Sequence, residues 1–310
     1  MKSFTSIPHI DLLPMYEHGD TGERKVANEI RRIYSTVGFA CLVNHQTDPE
    51  LVGNAFEAAR AFHTLPLAEK LKIRQNKFFR GYMLQNTSQF ELTTLGKASR
   101  PNQSEAFIIA NEVPADHPDY IAGQYLAGPN QWPEGMTQFR LSVLAYYEAM
   151  RSLSAKLAQM FSLAFGMPRN ALDDIFTNPT IFMRLQYYPE QSTVDQDEQY
   201  GIAPHTDYGF LTLLAQDETG GLQLKNTDNE WIDAPPEPGT FILNSGDMVK
   251  WLTNGHFIST PHRVINRSGK KRFSIPFFYE PDCMHGFRRC HLFTRTKTPT
   301  LFRALNMPNI

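Results

Sequence analysis

The stretch from Ile181 to Tyr279 constrains the fold of this chain most strongly. Short β-prone runs alternate there with turns that contain Pro, Gly and Asn. Many short strands punctuated in this way are typical of a β-sandwich or barrel. Ahead of this stretch, apolar residues recur at helical spacing from about Thr137 to Phe165. We therefore expect a mixed α+β protein with a mainly β core and packed helices.

The N-terminal part carries patterns of its own. Glu23 to Val37 has the apolar stripe of an amphipathic helix, and the run from Phe39 to Val43 is β-prone. Asp48 followed by a proline predicts the start of another helix, which continues to about His63. Residues 75–130 are loop-rich, and so long an irregular stretch is either functional or poorly ordered.

The organisation of the chain follows from these patterns. It has 310 residues without an internal repeat, a low-complexity segment or a hinge linker, so we expect one domain with an N-terminal region packed onto its core. The last 25 residues contain five Arg or Lys and no acid. The predicted divisions are an N-terminal region at 1–130, a helical support at 131–176, the core at 177–285 and an atypical basic tail at 286–310.

The composition argues against several partners. The formal net charge is −2, without the basic excess that binding to nucleic acid needs. No apolar run approaches the roughly 18 residues of a membrane span, and the first residues do not resemble a secretory signal. Three cysteines do not suggest a disulfide framework. We expect a cytoplasmic protein with no nucleic-acid or membrane partner, and the oligomeric state stays open.

A histidine and an acid two residues apart, His205 and Asp207, precede one of the β-prone runs. Side chains at i and i+2 of a strand share a face, so one strand could present both groups to a single ion. His-x-Asp occurs three more times, but only this pair leads into an apolar β-prone run and is followed by a further histidine, His262, ahead of another. Two histidines and one carboxylate with open positions select non-haem Fe(II).

A candidate anion anchor follows ten residues after His262. Arg272 and Ser274 share a strand face. The planar fork of arginine binds a carboxylate bidentately, and a serine adds a hydroxyl donor. Without the histidines, a surface arginine beside Lys270 and Lys271 would be the simpler interpretation.

Taken in chain order, these segments resemble the isopenicillin-N-synthase-like family of Fe(II)/2-oxoglutarate oxygenases. The resemblance covers nearly the whole chain up to about residue 282, and the basic tail departs from it. The matching segments are Ile7–Asp11, Gly38–His45, Phe62–Lys70, Gly128–Pro133, Arg184–Pro189, His205–Asp207, Gly220–Leu224, Asn244–Asp247, Asn254–Gly255, Pro261–Val264 and Arg272–Ser274.

The resemblance implies a fold and an activity. The fold is a double-stranded β-helix (jelly roll) with helices packed outside. The activity is that of an oxygenase that uses Fe(II), O₂ and the co-substrate 2-oxoglutarate (2OG). It hydroxylates, desaturates or cyclises an unactivated C–H bond of a small molecule and releases succinate and CO₂. The implied metal ligands are His205, Asp207 and His262, and the implied 2OG-binding residues are Arg272, Ser274 and Tyr188.

The primary substrate is expected beside the iron, opposite the co-substrate anchor. The loop region 78–110 is the predicted determinant of specificity, because binding residues concentrate on loops over a rigid scaffold. The candidate wall residues are Tyr82, Leu84, Phe107, Phe210 and Trp251.

Two alternatives remain at this point. Isopenicillin N synthase and aminocyclopropane-carboxylate oxidase have the same triad and an Arg-x-Ser motif without using 2OG, although Tyr188 together with Arg272 favours 2OG. A non-catalytic small-molecule receptor on this fold is the other alternative, but such proteins tend to lose a metal ligand and all three are present here. The substrate, the choice between hydroxylation and desaturation or cyclisation, and the role of the tail are left open.

Overall fold

Two β-sheets lie at the centre of the molecule, and helices cover the larger one. The computed structural model describes residues 3–88, 100–124, 126–190 and 199–282. The strands are, in chain order, β1 (His9–Asp11), β2 (Phe39–Val43), β3 (Gly81–Met83), β4 (Glu105–Ala110), β5 (Thr180–Tyr188), β6 (Ile202–His205), β7 (Leu211–Gln216), β8 (Leu222–Lys225), β9 (Trp231–Asp233), β10 (Phe241–Ser245), β11 (His262–Val264) and β12 (Arg272–Glu280). The helices are α1 (Leu13–Glu17), α2 (Gly19–Tyr34), α3 (Pro49–His63), α4 (Leu67–Lys72), α5 (Pro118–Ile121), α6 (Thr137–Ala164) and α7 (Asp247–Leu252), and a 3₁₀ turn covers Asp173–Phe176.

The strands of the C-terminal half pass back and forth between the two sheets. The larger sheet has the order β1-β2-β10-β7-β12-β5-β4-β3, and the smaller has the order β6-β11-β8-β9. Neighbouring strands are antiparallel except for the β1–β2 pair. From β5 to β12 the chain moves repeatedly from the larger sheet to the smaller and back, and it ends on the larger sheet. This arrangement is a double-stranded β-helix, and it confirms the predicted jelly roll of a mixed α+β protein.

Helix α6 packs against both α2 and α3, and all three helices pack against the larger sheet. The predicted α6 begins at the expected residue and ends one residue early, which is within the usual uncertainty of helix ends. The Asp48 carboxylate accepts the Glu50 amide N–H at 2.9 Å, which confirms the predicted start of α3. α2 begins four residues earlier than predicted and ends three residues earlier.

A buried cluster of charged side chains connects α3 and α4 to β3 and β4. Glu105 accepts a hydrogen bond from Lys70 Nζ at 2.7 Å and lies 2.8 Å from His63 Nδ1. The Tyr82 hydroxyl donates to the other Glu105 oxygen, and His63 Nε2 lies 2.9 Å from the Leu185 carbonyl oxygen. Burial alone would raise the pKa of Glu105, but these hydrogen bonds lower it to about 2. Glu105 is therefore ionised at neutral pH and holds the two helices against the sheet.

Some predictions fall outside the described residues. These are part of the loop region 78–110, at residues 89–99, and the basic tail 286–310. The division of the chain at residues 130, 176 and 285 stays a prediction. Within the described ranges, no helix combines the length and the apolar character that crossing a membrane requires.

Candidate active site

Three potential metal ligands meet at one edge of the smaller sheet. His205 is the last residue of β6 and His262 the first of β11, and the two pair directly across these antiparallel strands. Asp207 follows two residues after β6. Its Oδ1 atom lies 3.6 Å from Nε2 of His205 and 3.8 Å from Nε2 of His262. All three ligand atoms lie within 4.8 Å of one another, close enough to share one ion.

The turn after β6, rather than the alternation of a strand, brings Asp207 next to His205. This corrects the expectation of one continuous strand, because β6 ends at His205. A second turn, between β10 and α7, holds the turn that carries Asp207. The Asp247 amide at this second turn donates to the Asp207 carbonyl at 2.7 Å. A Cβ on Gly246 would lie 2.3 Å from the Gly209 carbonyl oxygen and 2.7 Å from that of Asp207. Only glycine therefore lets the two turns approach so closely.

Backbone carbonyls orient both imidazoles. His205 Nδ1 lies 2.9 Å from the Ala203 carbonyl oxygen, and His262 Nδ1 lies 3.2 Å from that of Thr260. A carbonyl oxygen can only accept, so each Nδ1 carries the proton and each Nε2 keeps its lone pair for a metal. Such a contact at the second ring nitrogen is typical of metal-binding histidines.

The two oxygens of Asp207 have different partners. Oδ2 accepts hydrogen bonds from Thr212 Oγ1 at 2.6 Å and from Asn244 Nδ2 at 2.7 Å. Oδ1 is the atom that faces the two imidazoles. Thr212 and Asn244 pair directly across β7 and β10, so the larger sheet fixes the orientation of the carboxylate. The sequence prediction gave neither residue a role, although the Asn244–Asp247 segment contributed to the family resemblance.

The electrostatics match a divalent cation site. Burial raises the pKa of Asp207, but the adjacent His205 and His262 and the hydrogen bond from Thr212 lower it by more, so the carboxylate is ionised. Burial and the neighbouring His205 lower the pKa of His262 to about 4, although Asp207 acts in the opposite direction. A neutral imidazole and a carboxylate are the forms that bind metals. The donor set of two imidazole nitrogens and one carboxylate fits Fe(II).

A buried arginine lies on the larger sheet beside these ligands. Arg272 has no solvent exposure, and its neighbour across β12 and β5 is Tyr188, whose ring centroid lies 4.5 Å from the guanidinium carbon. Its nitrogens donate to the Gly220 carbonyl at 2.5 Å, Gln216 Oε1 at 3.1 Å and Ser274 Oγ at 3.3 Å. All three acceptors are neutral, so the positive charge has no carboxylate partner among them. A buried cation of this kind suits an anionic ligand.

One cavity of about 460 Å³ joins the metal ligands to this arginine. That volume is within the usual range for small-molecule sites. The cavity also reaches the partly buried Leu84, a predicted wall residue. The sequence-predicted residues that border it are His205, Asp207, His262, Tyr188, Arg272, Ser274, Tyr82 and Leu84. Bordering residues without a predicted role include Phe39, Met83, Ile202, Leu222 and Phe278.

Three of the five candidate substrate residues lie elsewhere, which corrects the expectation for them. Phe107 packs on Phe139 of α6, with ring centroids 5.1 Å apart. Phe210 packs on Phe161 of the same helix, and both phenylalanines are fully buried in the core. Trp251 lies half exposed on α7 and does not border the cavity.

Tyr82 borders the cavity, but its side chain serves the helix layer. Its ring packs on Phe62 of α3, and its hydroxyl donates to Glu105. The residue is only 1% exposed, so its polar group is not available to a ligand. Leu84 is therefore the one candidate among the five whose side chain is positioned to contact a substrate.

Two further polar side chains border the cavity from β5. Arg184 Nε and Gln186 Nε2 are buried and have no hydrogen-bond partner within the described part of the chain. Arg184, Gln186 and Tyr188 occupy every second position of β5, so their side chains share the face that borders the cavity, as predicted. Burial lowers the pKa of Arg184, while the charges of Asp207 and Tyr188 raise it to a smaller extent.

Comparison with known families matches both parts of the chain. Residues 179–281 match the 2OG-Fe(II) oxygenase superfamily. Residues 7–135 match the family described as non-haem dioxygenase in morphine synthesis, N-terminal. The first match contains all the candidate metal ligands and the buried arginine on β12.

Individual relatives agree with the family matches. The 2-oxoglutarate-Fe(II) type oxidoreductase hxnY of Emericella nidulans is 35% identical over 289 residues, which cover 91% of this chain and 81% of that protein. The 2-oxoglutarate-dependent dioxygenase tropC of Talaromyces stipitatus is 37% identical over 288 residues, with 88% and 85% coverage. Among solved structures, a full-length Neurospora crassa protein in complex with alpha-KG and thymine superposes with a TM-score of 0.77 at 27% identity, and 89% of this chain and 86% of that chain are covered.

Proposed function

The chain belongs to the 2OG-Fe(II) oxygenase superfamily and is a 2-oxoglutarate-dependent oxygenase, and from this premise we propose that His205, Asp207 and His262 bind the Fe(II). The observation that carries the proposal is the convergence of the three ligand atoms within 4.8 Å at the wall of one cavity. The outer contacts of the three side chains support it, because each leaves one ligand atom directed at the same point.

We further propose that Arg272, Ser274 and Tyr188 bind the distal carboxylate of 2OG. Arg272 supplies a fixed charge, and Ser274 Oγ lies 3.3 Å from both an Arg272 nitrogen and the Tyr188 hydroxyl. These groups converge on one point of the cavity wall, where a carboxylate would receive charge-assisted hydrogen bonds. The fully buried position of Arg272 makes an anion the ligand that best compensates its charge.

The chain's own residues hold and orient the reactants. When bound, Fe(II) couples the reaction of O₂ with 2OG, which yields succinate and CO₂, to the oxidation of a substrate C–H bond. The outer hydrogen bonds of the His205, Asp207 and His262 side chains keep three ligand atoms aimed at the metal. Arg272 fixes the far end of 2OG, which sets the orientation of its reactive end relative to the metal. The apolar part of the wall limits access of water.

The relatives favour this activity over the two alternatives. Both curated relatives described above are named for 2OG, and the superposed Neurospora crassa structure contains alpha-KG. A 2OG-independent oxidase and a non-catalytic receptor are therefore not favoured. Members of this family act on small molecules, as thymine in that complex illustrates.

The metal assignment is tested by removing single ligands. H205A and D207A each leave two ligand atoms, so we expect loss of stoichiometric Fe(II) binding and of 2OG-dependent succinate formation. Metal content after equilibration under anaerobic conditions measures the first, and succinate release measures the second.

The chain offers a matched control in its other His-x-Asp sequences. His18 heads such a sequence at residues 18–20, and its side chain is 65% exposed. H18A should retain one Fe(II) per chain and full succinate formation. Tight, stoichiometric Fe(II) in both H205A and D207A would contradict the assignment.

A further inference from the structure

Arg184 borders the cavity, and among the described residues its guanidinium has no hydrogen-bond partner. It lies on β5, and no hydrogen bond or ion pair of its guanidinium is present within the described residues; its Nε atom is buried and unpartnered. The guanidinium carbon lies 5.8 Å from the Phe182 ring centroid and 5.6 Å from that of Phe278. Aromatic faces compensate the charge only in part, and they accept no conventional hydrogen bond from the N–H donors of the guanidinium.

Arg80, a fully buried arginine that does not border this cavity, shows what a structural role looks like. Arg80 is 1% exposed, and its terminal nitrogens donate to the carbonyls of Phe78, Asn111 and Leu126. The Nε atom of Arg80 is unpartnered as well, so what distinguishes the partly buried Arg184 is that its terminal nitrogens have no acceptor among the described residues. Its donors are therefore available to a ligand that enters the cavity.

The charge balance of the cavity favours an anion as that ligand. Three arginines border it, Arg74, Arg184 and Arg272, and the one acid among its described residues is Asp207. Bound Fe(II) adds two positive charges, and 2OG adds two negative ones. Positive charge thus remains in excess after both are bound. Asp207 offsets the charge of Arg184 only in part, and its carboxylate is already used by the proposed metal site.

The position of Arg184 separates this charge from the co-substrate anchor. Arg184 and Tyr188 are four residues apart on one strand face, so their Cα atoms are roughly 13 Å apart. Tyr188 pairs with Arg272 across the sheet, so a carboxylate at Arg184 cannot be the distal carboxylate of 2OG. Gln186 lies between them, and its unpartnered Nε2 offers a second donor within the cavity.

We propose that Arg184 binds a carboxylate of the primary substrate, so that the substrates of this enzyme are small carboxylic acids with an apolar body. The proposal rests on the proposed function, because it places this group in the half of the cavity that 2OG leaves free. Apolar side chains border the same cavity and suit the body of such a molecule: Leu84, Ile202, Leu222 and Phe278.

Binding of matched acids and amides tests the proposal. The probes are phenylacetate, cinnamate and indole-3-acetate, each paired with its primary amide, on Zn(II)-loaded protein saturated with 2OG so that no turnover occurs. Competition measured by ligand-observed NMR gives the affinities. At least one acid should bind wild-type protein about tenfold or more tightly than its amide, as expected for a charge-assisted contact. R184Q should lose this preference, and R184K should keep part of it.

The control is Arg74, an exposed arginine at the rim of the same cavity. R74Q should keep the preference for the acid, which separates a specific contact from general attraction. Retention of the preference in R184Q, or its absence from wild-type protein in every pair, would overturn the proposal. Binding of 2OG is measured in the same samples. If wild-type protein does not bind 2OG, the proposed function is refuted. If it binds 2OG normally but does not prefer any acid over its amide, only the role of Arg184 is refuted.

Discussion

Each proposed iron ligand uses one polar atom to contact the protein and keeps another for the metal. The two histidines donate from Nδ1 to backbone carbonyls, and Asp207 accepts from Thr212 and Asn244 at Oδ2. These contacts fix the rotation of the side chains before a metal binds. The affinity for the metal should therefore depend on residues that never touch it.

The Asp207 carboxylate provides a direct test of this dependence. T212V and N244A each remove one hydrogen bond to Oδ2, so the carboxylate is less well oriented. We expect each variant to bind Fe(II) about 10–100-fold more weakly than wild-type protein. A competition titration against a metal-sensitive dye measures the affinity.

Thr227 offers a matched control, because its hydroxyl bonds to Ser3 Oγ at 3.0 Å on the exposed surface. T227V should bind Fe(II) like the wild type. Unchanged metal affinity in both T212V and N244A would mean that the carboxylate needs no such support.

Sequence patterns predicted which polar residues border the cavity better than which apolar residues do. Arg184, Gln186 and Tyr188 share parity on one strand, and all three border the cavity. Phe107 was expected there too, but it pairs with Leu185, which has the opposite parity. Residues paired across antiparallel strands face the same side. The register of β4 against β5 is therefore needed to place Phe107, and a local pattern does not contain it.

At the level of elements, two turns position the aspartate. The turn after β6 carries Asp207, and the turn between β10 and α7 carries Gly246 directly beside it. In G246A, the added Cβ would lie 2.3–2.8 Å from backbone atoms of Asp207 and Gly209, so the turns must separate. We expect a loss of about 1–3 kcal/mol in the free energy of unfolding. We also expect weaker Fe(II) binding, measured on the same samples by urea denaturation and metal titration.

A second glycine gives the opposite expectation. Gly53 lies inside α3, and a Cβ there would meet nothing within 4 Å. G53A should raise the free energy of unfolding by about 0.5–1 kcal/mol, because alanine favours a helix over glycine. Metal affinity should not change. If G246A matched G53A in both the free energy of unfolding and the affinity for Fe(II), the close packing of the two turns would not be needed for either property.

The ends of several elements could be predicted because their signals are local. The Asp48 cap fixes the start of α3, and a periodic apolar stripe predicted α6. The end of β6 was missed. What holds the turn after it is a hydrogen bond between Asp207 and Asp247, about 40 residues apart in the chain. Contacts over such separations leave no pattern in a short window of sequence.

On the scale of the whole molecule, a buried acid links the last strand to the metal turn. Glu280 ends β12, and its carboxyl accepts the Phe210 amide N–H. A Cβ on Gly209 would overlap the same carboxyl group. Burial raises the pKa of Glu280 to about 8, the nearby Asp207 raises it as well, and the Phe210 amide lowers it. In the metal-free protein, Glu280 is therefore largely protonated at pH 7.

This protonation gives a pH dependence of known sign. The folded-state pKa is above the ordinary value of 4.5, so the folded state holds a proton that the unfolded state has lost. The contribution of Glu280 to stability is complete below about pH 4.5 and declines as the pH rises towards 8. E280Q removes the titratable carboxyl group. The free energy of unfolding of this variant should therefore decline less between pH 4.5 and pH 8 than that of wild-type protein. Urea denaturation of both metal-free proteins at several pH values measures the difference. The same dependence of the free energy of unfolding on pH in both proteins would contradict the expectation.

A β-sandwich or barrel was foreseeable from the alternating short runs and turns through Ile181–Tyr279, and the family resemblance implied that it is a jelly roll. The sequence did not reveal which strands face each other across the cavity. That arrangement depends on how the chain passes between the two sheets from β5 to β12. It brings His205 and His262 on the smaller sheet opposite Arg272 on the larger one, and the proposed chemistry depends on this juxtaposition.

Anaerobic titration of 2OG into the Fe(II)-loaded protein tests this juxtaposition most directly, with the visible absorption of the Fe(II)–2OG complex as the signal. Wild-type protein should saturate at one 2OG per iron. R272M should bind Fe(II) normally but require about thirtyfold or more 2OG for half-saturation, because a buried charge-assisted contact is lost. R272K should lie between the two. Unchanged 2OG affinity in R272M, or no absorption change in wild-type protein, would contradict a shared site for iron and 2OG between the two sheets.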